Sequence, residues 1–175
     1  MQAFVIDAFT FCRLEEQRSG SLPIADLPRV AVESVGAEGA GLTWSLSGGK
    51  DKLDHAKLVL AVNGSVQLMC QRCLTPFALE IDSESILILA KNEASADEID
   101  ALLDDDEVDV VVGSKSFDVI ALIEDEVLLA IPQSPKHAVC PDVSLAFANS
   151  TAGLDAEGGK KASPFAVLKK INGRT

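Results

Sequence analysis

An α+β fold is expected: an antiparallel β-sheet, open or curled towards a barrel, packed by a few helices and followed by a flexible C-terminal tail. Three observations lead there. Period-two alternation between about residues 40 and 90 marks at least three strands, each with one wet and one core face. A stripe at three- and four-residue spacing from about 116 to 131 marks one clear helix. A Gly-, Ser- and Ala-rich stretch from 149 to 163 reads as a linker. Of the 175 residues, 47% are apolar and 24% charged, which excludes wholesale disorder. With seven Phe, one Trp and no Tyr, the core must come mainly from Val, Leu, Ile and Ala. The expected division is one domain over residues 1–148, with an irregular or helical N-terminal arm, then a linker and basic tail over 149–175.

Residues 1 to 35 show no clean strand alternation. A short helix fits residues 7 to 18, Leu22, Pro23, Ile24 and Leu27 form a packed irregular arm, and Pro28 opens a second short helix, because proline suits a first turn. Leu42, Trp44 and Leu46 then alternate with Thr43, Ser45 and Ser47, and Gly48-Gly49 reads as a turn. Leu58, Leu60, Val62, Val66 and Leu68 share one parity, as do Phe77, Leu79 and Ile81 further on. Residues 93 to 109 are so acidic that they read as a solvated loop, ahead of a short strand at Val108 to Val112. The clear helix takes Ser116 as its N-cap, with Asp118 in its first turn, and stops at Pro132. Pro164 to Ile171 suggest a last short helix.

Charge and hydropathy exclude several function classes. Fifteen Lys and Arg against 27 Asp and Glu give a net charge of −12, opposite to a binder held mainly by phosphate neutralisation. The longest aliphatic runs have five residues, whereas a membrane span needs about 20. The first residues lack the pattern of a secretory signal, and four cysteines are few for a disulfide scaffold, so a reducing cytoplasm is expected.

The chemistry-bearing motif is Cys70-Gln71-Arg72-Cys73, lying between two alternating strands and so at a hairpin tip. A two-residue gap lets a tight turn bring both sulfurs to one tetrahedral ion. His137 and Cys140 repeat that gap, and would complete a Cys3His zinc site as a clasp across 63 intervening residues. Against this stands the bland reading of partly buried free thiols beside a surface histidine. A thioredoxin-like redox pair normally opens a helix after a strand, whereas here a strand follows. Cys12 reads as a small core residue and His55 as a solvated surface residue. No phosphate loop is present, Gly48-Gly49-Lys50 lacking the remaining Walker positions, and no enzyme is expected.

Three segments together resemble the bacterial YceD family of large ribosomal RNA subunit accumulation proteins. They are Val66 to Phe77, Leu122 to His137 with Cys140, and Pro164-Phe165-Ala166-Val167-Leu168. Residues 1 to 60 share only the general layout. The resemblance implies a role in synthesis, processing or stability of 23S ribosomal RNA, without an established reaction, cofactor or small-molecule substrate. Carried over residue by residue, its positions here are Cys70, Gln71, Arg72, Cys73, Pro76, Glu124, Asp125, Glu126, Pro132, Pro135, His137 and Cys140. The short run from His137 to Cys140 leaves the fourth metal ligand open.

Acidity must be reconciled with such a role. Between residues 80 and 126 sixteen Asp and Glu face two Lys. One reading has this surface hold a basic ribosomal protein, with Glu124, Asp125 and Glu126 as candidate contacts. A second has the tail, with five cations and no acid over residues 160–175, touch RNA together with Arg72. High negative charge that merely maintains solubility is the plain alternative, and a zinc-clasped interaction module unrelated to ribosomes is the competing function class.

Overall fold

In the computed structural model, residues 4–36, 41–103 and 108–141 are described, and the chain divides into the units Met1–Cys140 and Pro141–Thr175. The expected linker, basic tail and Pro164 to Ile171 helix lie outside the described residues. The elements follow in the order β1 (Val5–Ile6), α1 (Ala8–Arg13), β2 (Gln17–Pro23), a 3₁₀ turn (Ile24–Asp26) and α2 (Pro28–Glu33). The order continues with β3 (Gly41–Lys50), β4 (Ala56–Met69), β5 (Pro76–Ala90), α3 (Glu93–Leu103), β6 (Val108–Val112), β7 (Phe117–Asp118) and α4 (Val119–Ala130).

Five strands form one open sheet in the order β2-β3-β4-β5-β6, and β1 pairs with β7 separately. The sheet is antiparallel except at β6, which runs parallel to β5. Its backbone is the long β4–β5 hairpin, in register from Lys57↔Ile88 to Met69↔Pro76. The alternating residues face as their parity requires: Leu58, Leu60, Val62, Val66 and Leu68 are at most 2% exposed. Leu42, Trp44 and Leu46 of β3 line the same face and share one core with Phe11, Val30, Ile123 and Val127. The other face carries Thr43, Ser45, Asn63, Glu80, Asp82 and Glu84, all exposed. Cys12 is a core residue as expected, 1% exposed, its thiol donating to the Lys57 carbonyl at 3.2 Å. Burial pushes that thiol up.

Five expectations change. The first helix stops at Arg13 instead of reaching residue 18, and Gln17–Pro23 form an edge strand that takes in Leu22 and Pro23 of the expected irregular arm, because main-chain pairing from Gln17↔Ser47 to Pro23↔Gly41 holds them whatever their side chains. Gly48 and Gly49 lie inside β3, not in a turn. A Cβ at Gly48 would stand 2.7 Å from the Phe11 carbonyl, so glycine is what lets α1 lie directly on the strand.

The acidic stretch is also helical over Glu93–Leu103. A parallel strand must be reached by a crossover, usually a helix, and α3 is that crossover. Asn92 and Ser95 cap it reciprocally: Ser95 N–H donates to Asn92 Oδ1 at 2.9 Å, and Asn92 N–H donates to Ser95 Oγ at 3.1 Å. Finally, the N-cap of α4 is Asp118, not Ser116; its carboxylate accepts from Ile120 N–H at 2.9 Å and Ala121 N–H at 3.2 Å. Phe117 and Asp118 are kept extended by pairing with Ile6 and Val5.

Candidate metal centre

Pairing of β4 with β5 ends at Met69↔Pro76, leaving Cys70 to Thr75 as the hairpin loop. The Cys70 N–H donates to the Thr75 carbonyl at 3.0 Å, and the Leu74 N–H to the Cys70 carbonyl at 2.9 Å. Both bonds fold the loop tightly enough to turn two sulfurs the same way. Leu74 completes the turn at φ +58°, a left-handed conformation that costs an L-residue about 1–2 kcal/mol.

The second limb follows α4, where Pro132 prevents the helix from continuing. It is stitched to the loop largely through backbone groups. Gln71 N–H donates to the Pro135 carbonyl at 2.9 Å, the Ser134 hydroxyl donates to Gln71 Oε1 at 3.0 Å, and His137 N–H reaches Cys70 Sγ at 3.4 Å. Phe77 packs against the His137 ring with centroids 4.9 Å apart.

The two limbs bring Cys70, Cys73, His137 and Cys140 together, with their four candidate ligand atoms all within 4.8 Å of one another. Zinc–sulfur bonds of about 2.3 Å meeting tetrahedrally place two sulfurs about 3.8 Å apart. Cys70 and Cys140 Sγ lie 3.7 Å apart, and Cys73 Sγ lies 3.3 Å from His137 Nδ1. Three soft sulfurs and an imidazole suit zinc in donor type, and these two of their six edges are close to tetrahedral length. Cys70 is fully buried, whereas the other three are half-buried.

The electrostatics favour ionised sulfur at Cys70 and Cys73. Burial pushes the Cys70 thiol up, but the N–H groups of Cys73, His137 and Arg72 and the His137 ring outweigh it and hold it at about 5. The Thr75 hydroxyl, 3.1 Å from Cys73 Sγ, draws that thiol down as well. At Cys140 the Arg72 guanidinium pulls down, yet burial and the two neighbouring sulfurs prevail and the thiol is raised. The same sulfurs, Cys70 foremost, hold His137 above its ordinary value.

Other candidate residues are placed differently. Arg72 does not extend from the tip: its Nε–H donates to Cys140 Sγ at 2.9 Å. Glu124 is 4% exposed, with Oε1 accepting the Arg29 N–H at 2.7 Å, so it is turned away from any partner. Asp125 pairs with the Arg29 guanidinium, and Glu126 accepts from the Ser83 hydroxyl. Asp125 remains exposed, and further solvent-facing acids include Glu80, Asp82 and Glu84 on β5, Glu93, Asp97, Glu98 and Asp100 on α3, and Asp109 on β6. His55 is half-buried, its Nδ1 3.0 Å from Asp51 Oδ2 within a turn, rather than freely solvated. Sequence reasoning missed Thr75 and Phe77 beside the site, since neither residue type signals such a role.

Together the open sheet, the acidic outer surface and the four-residue cluster define an α+β protein whose hairpin loop meets a distant limb at a Cys/His site able to hold a metal. A family model described as "Large ribosomal RNA subunit accumulation protein YceD" matches residues 58–172. A protein of that same name from Haemophilus influenzae is 31% identical over 123 residues, covering 68% of each chain. The chain belongs to the YceD family. No solved structure matches it. Among the described residues no helix is long and apolar enough to cross a membrane.

Proposed function

We propose that this protein is a cytoplasmic, non-enzymatic factor in large ribosomal subunit biogenesis that supports the synthesis, processing or stability of 23S ribosomal RNA. The observation that carries this reading is the family match over residues 58–172, which contains both limbs of the clasp. Cys70, Cys73, His137 and Cys140 would hold a structural zinc ion, and no open ligand position is needed for a site whose work is to lock two chain segments. A bound zinc would supply a cross-link between the hairpin and the limb after α4.

The partner favoured is a basic ribosomal protein. Exposed carboxylates on β5, α3 and β6 offer it opposite charge, which speeds encounter and weakens with salt. Phosphate would be repelled from the same surface. Direct RNA contact through residues 160–175 is the second reading, favoured only by the five cations there.

A pull-down from cell extract at graded salt, with and without nuclease, tests these readings. Salt-sensitive recovery of a large-subunit protein after nuclease treatment is expected. Loss of every ribosomal component on nuclease treatment would transfer the assignment to RNA. Unchanged 23S RNA and mature large subunits in a deletion strain would remove the ribosomal role altogether. Metal analysis should find about one zinc per chain, lost when Cys70 and Cys73 become Ser.

A further inference from the structure

Each sulfur of the clasp has its own hydrogen-bonding neighbour. Cys70 accepts from the His137 N–H at 3.4 Å, Cys73 lies 3.1 Å from the Thr75 hydroxyl, and Cys140 accepts from Arg72 Nε–H at 2.9 Å. The third contact is different in kind, because its donor carries a full charge and charge-assisted bonds are roughly twice as strong as neutral ones. It also differs in connectivity. Arg72 sits between the two cysteines of the hairpin loop, whereas Cys140 belongs to the other limb, and Arg72 Nη2 reaches the His137 carbonyl of that limb at 3.5 Å. A planar guanidinium offers separate N–H groups in a fixed fork to the sulfur and the carbonyl, an arrangement that the single nitrogen of a flexible lysine ammonium does not preorganise.

Charge balance points the same way. Three thiolates and a neutral imidazole around a dication leave one net negative charge, and one guanidinium cancels it. Resting on the zinc reading above, we infer that Arg72 is a positioning residue of the metal centre: it neutralises the thiolate cluster and latches the Cys140 limb onto the hairpin. Its guanidinium is thereby engaged at the clasp and is not an RNA contact at the hairpin tip.

The test uses the full chain loaded with zinc, comparing the parent with Arg72→Met, Arg72→Lys and Arg72→Gln. Zinc affinity and release are read with a chromogenic chelator, and the order of cysteine alkylation by mass spectrometry. Arg72→Met is expected to weaken zinc by about 10–100-fold, the usual effect of losing an outer-sphere partner, and to make Cys140 the first cysteine alkylated. Lysine should restore part of the loss through charge, and glutamine less. With cobalt in place of zinc, removing the N–H···S bond should move the thiolate charge-transfer band to lower energy. Parent-like release, alkylation order and cobalt spectrum in Arg72→Met would overturn the assignment while leaving the metal site intact. A parent that takes up no stoichiometric zinc would overturn both. Should Arg72→Met fail to fold, the lysine and glutamine variants decide, since parent-like zinc release in both refutes the latch.

Discussion

Replacing Glu124 decides whether the Glu124-Asp125-Glu126 run meets a partner or braces the fold. The side chain is 4% exposed, and its Oε1 accepts the Arg29 N–H at 2.7 Å. Arg29 lies in the first turn of α2, whose N-cap Leu27 offers no side-chain acceptor. Glu124 therefore supplies from another helix the acceptor that the local sequence lacks, and it sets a negative charge at the helix start. Loss of a cap costs about 0.5–2 kcal/mol, and loss of a hydrogen bond to a charged group about 1.5–3. These describe one interaction and are not summed, so Glu124→Ala should cost about 2 kcal/mol. Glu124→Gln keeps the shape and one acceptor, and should cost about 1 kcal/mol or less. For a domain of this size about 2 kcal/mol corresponds to roughly 4–8 °C in Tm. Urea and thermal unfolding of the zinc-loaded proteins provide the measurement. An alanine variant within about 0.5 kcal/mol of the parent, as for an ordinary surface substitution, would refute the brace. If that variant also lost ribosomal co-purification, the carboxylate would belong to an interface instead.

Three further outcomes are expected. Asp118→Ala removes the acceptor for Ile120 and Ala121 N–H at the start of α4 and should cost about 1 kcal/mol by urea unfolding; no change would mean that α4 starts elsewhere. Gly48→Ala drives a Cβ to 2.7 Å from the Phe11 carbonyl and should cost about 1–3 kcal/mol as α1 is displaced, while a neutral result would refute the close approach. In metal-free protein, Cys70 sits at about 5, below its ordinary 9.0. Its contribution to stability is complete above the ordinary value and disappears as pH falls through about 5. Thiolate ultraviolet absorbance should therefore persist at neutral pH and vanish in acid, and Cys70→Ser should abolish that step; absorbance that first appears in alkali would refute it.

Local pattern carried much of the fold. Leu58, Leu60, Val62, Val66 and Leu68 declare a core-facing strand by parity alone, because side chains alternate across a strand whatever surrounds it. Pro28 opens α2 and Pro132 follows the end of α4 for equally local reasons, namely a fixed φ and a missing donor. Where sequence reasoning failed, a distant partner had overruled the local signal. Residues 17–23 lack apolar alternation and become a strand only because β3 offers its edge. The acidic segment 93–103 becomes a helix because β6 must be reached in parallel.

The clasp divides in the same way. Spacing alone marked Cys70 and Cys73 as a candidate ligand pair, since two intervening residues suit one tight turn. The repeated gap named His137 and Cys140 as the residues that would close over them, and the structure brings the four together. That Arg72 turns to Cys140 and that Glu124 points inward to Arg29 are products of tertiary packing. Residue types and short spacings are properties of the chain and can be read from it directly. Which donor finds which acceptor across tens of residues is settled only when the long β4–β5 hairpin and α4 pack on a shared core and bring their ends together.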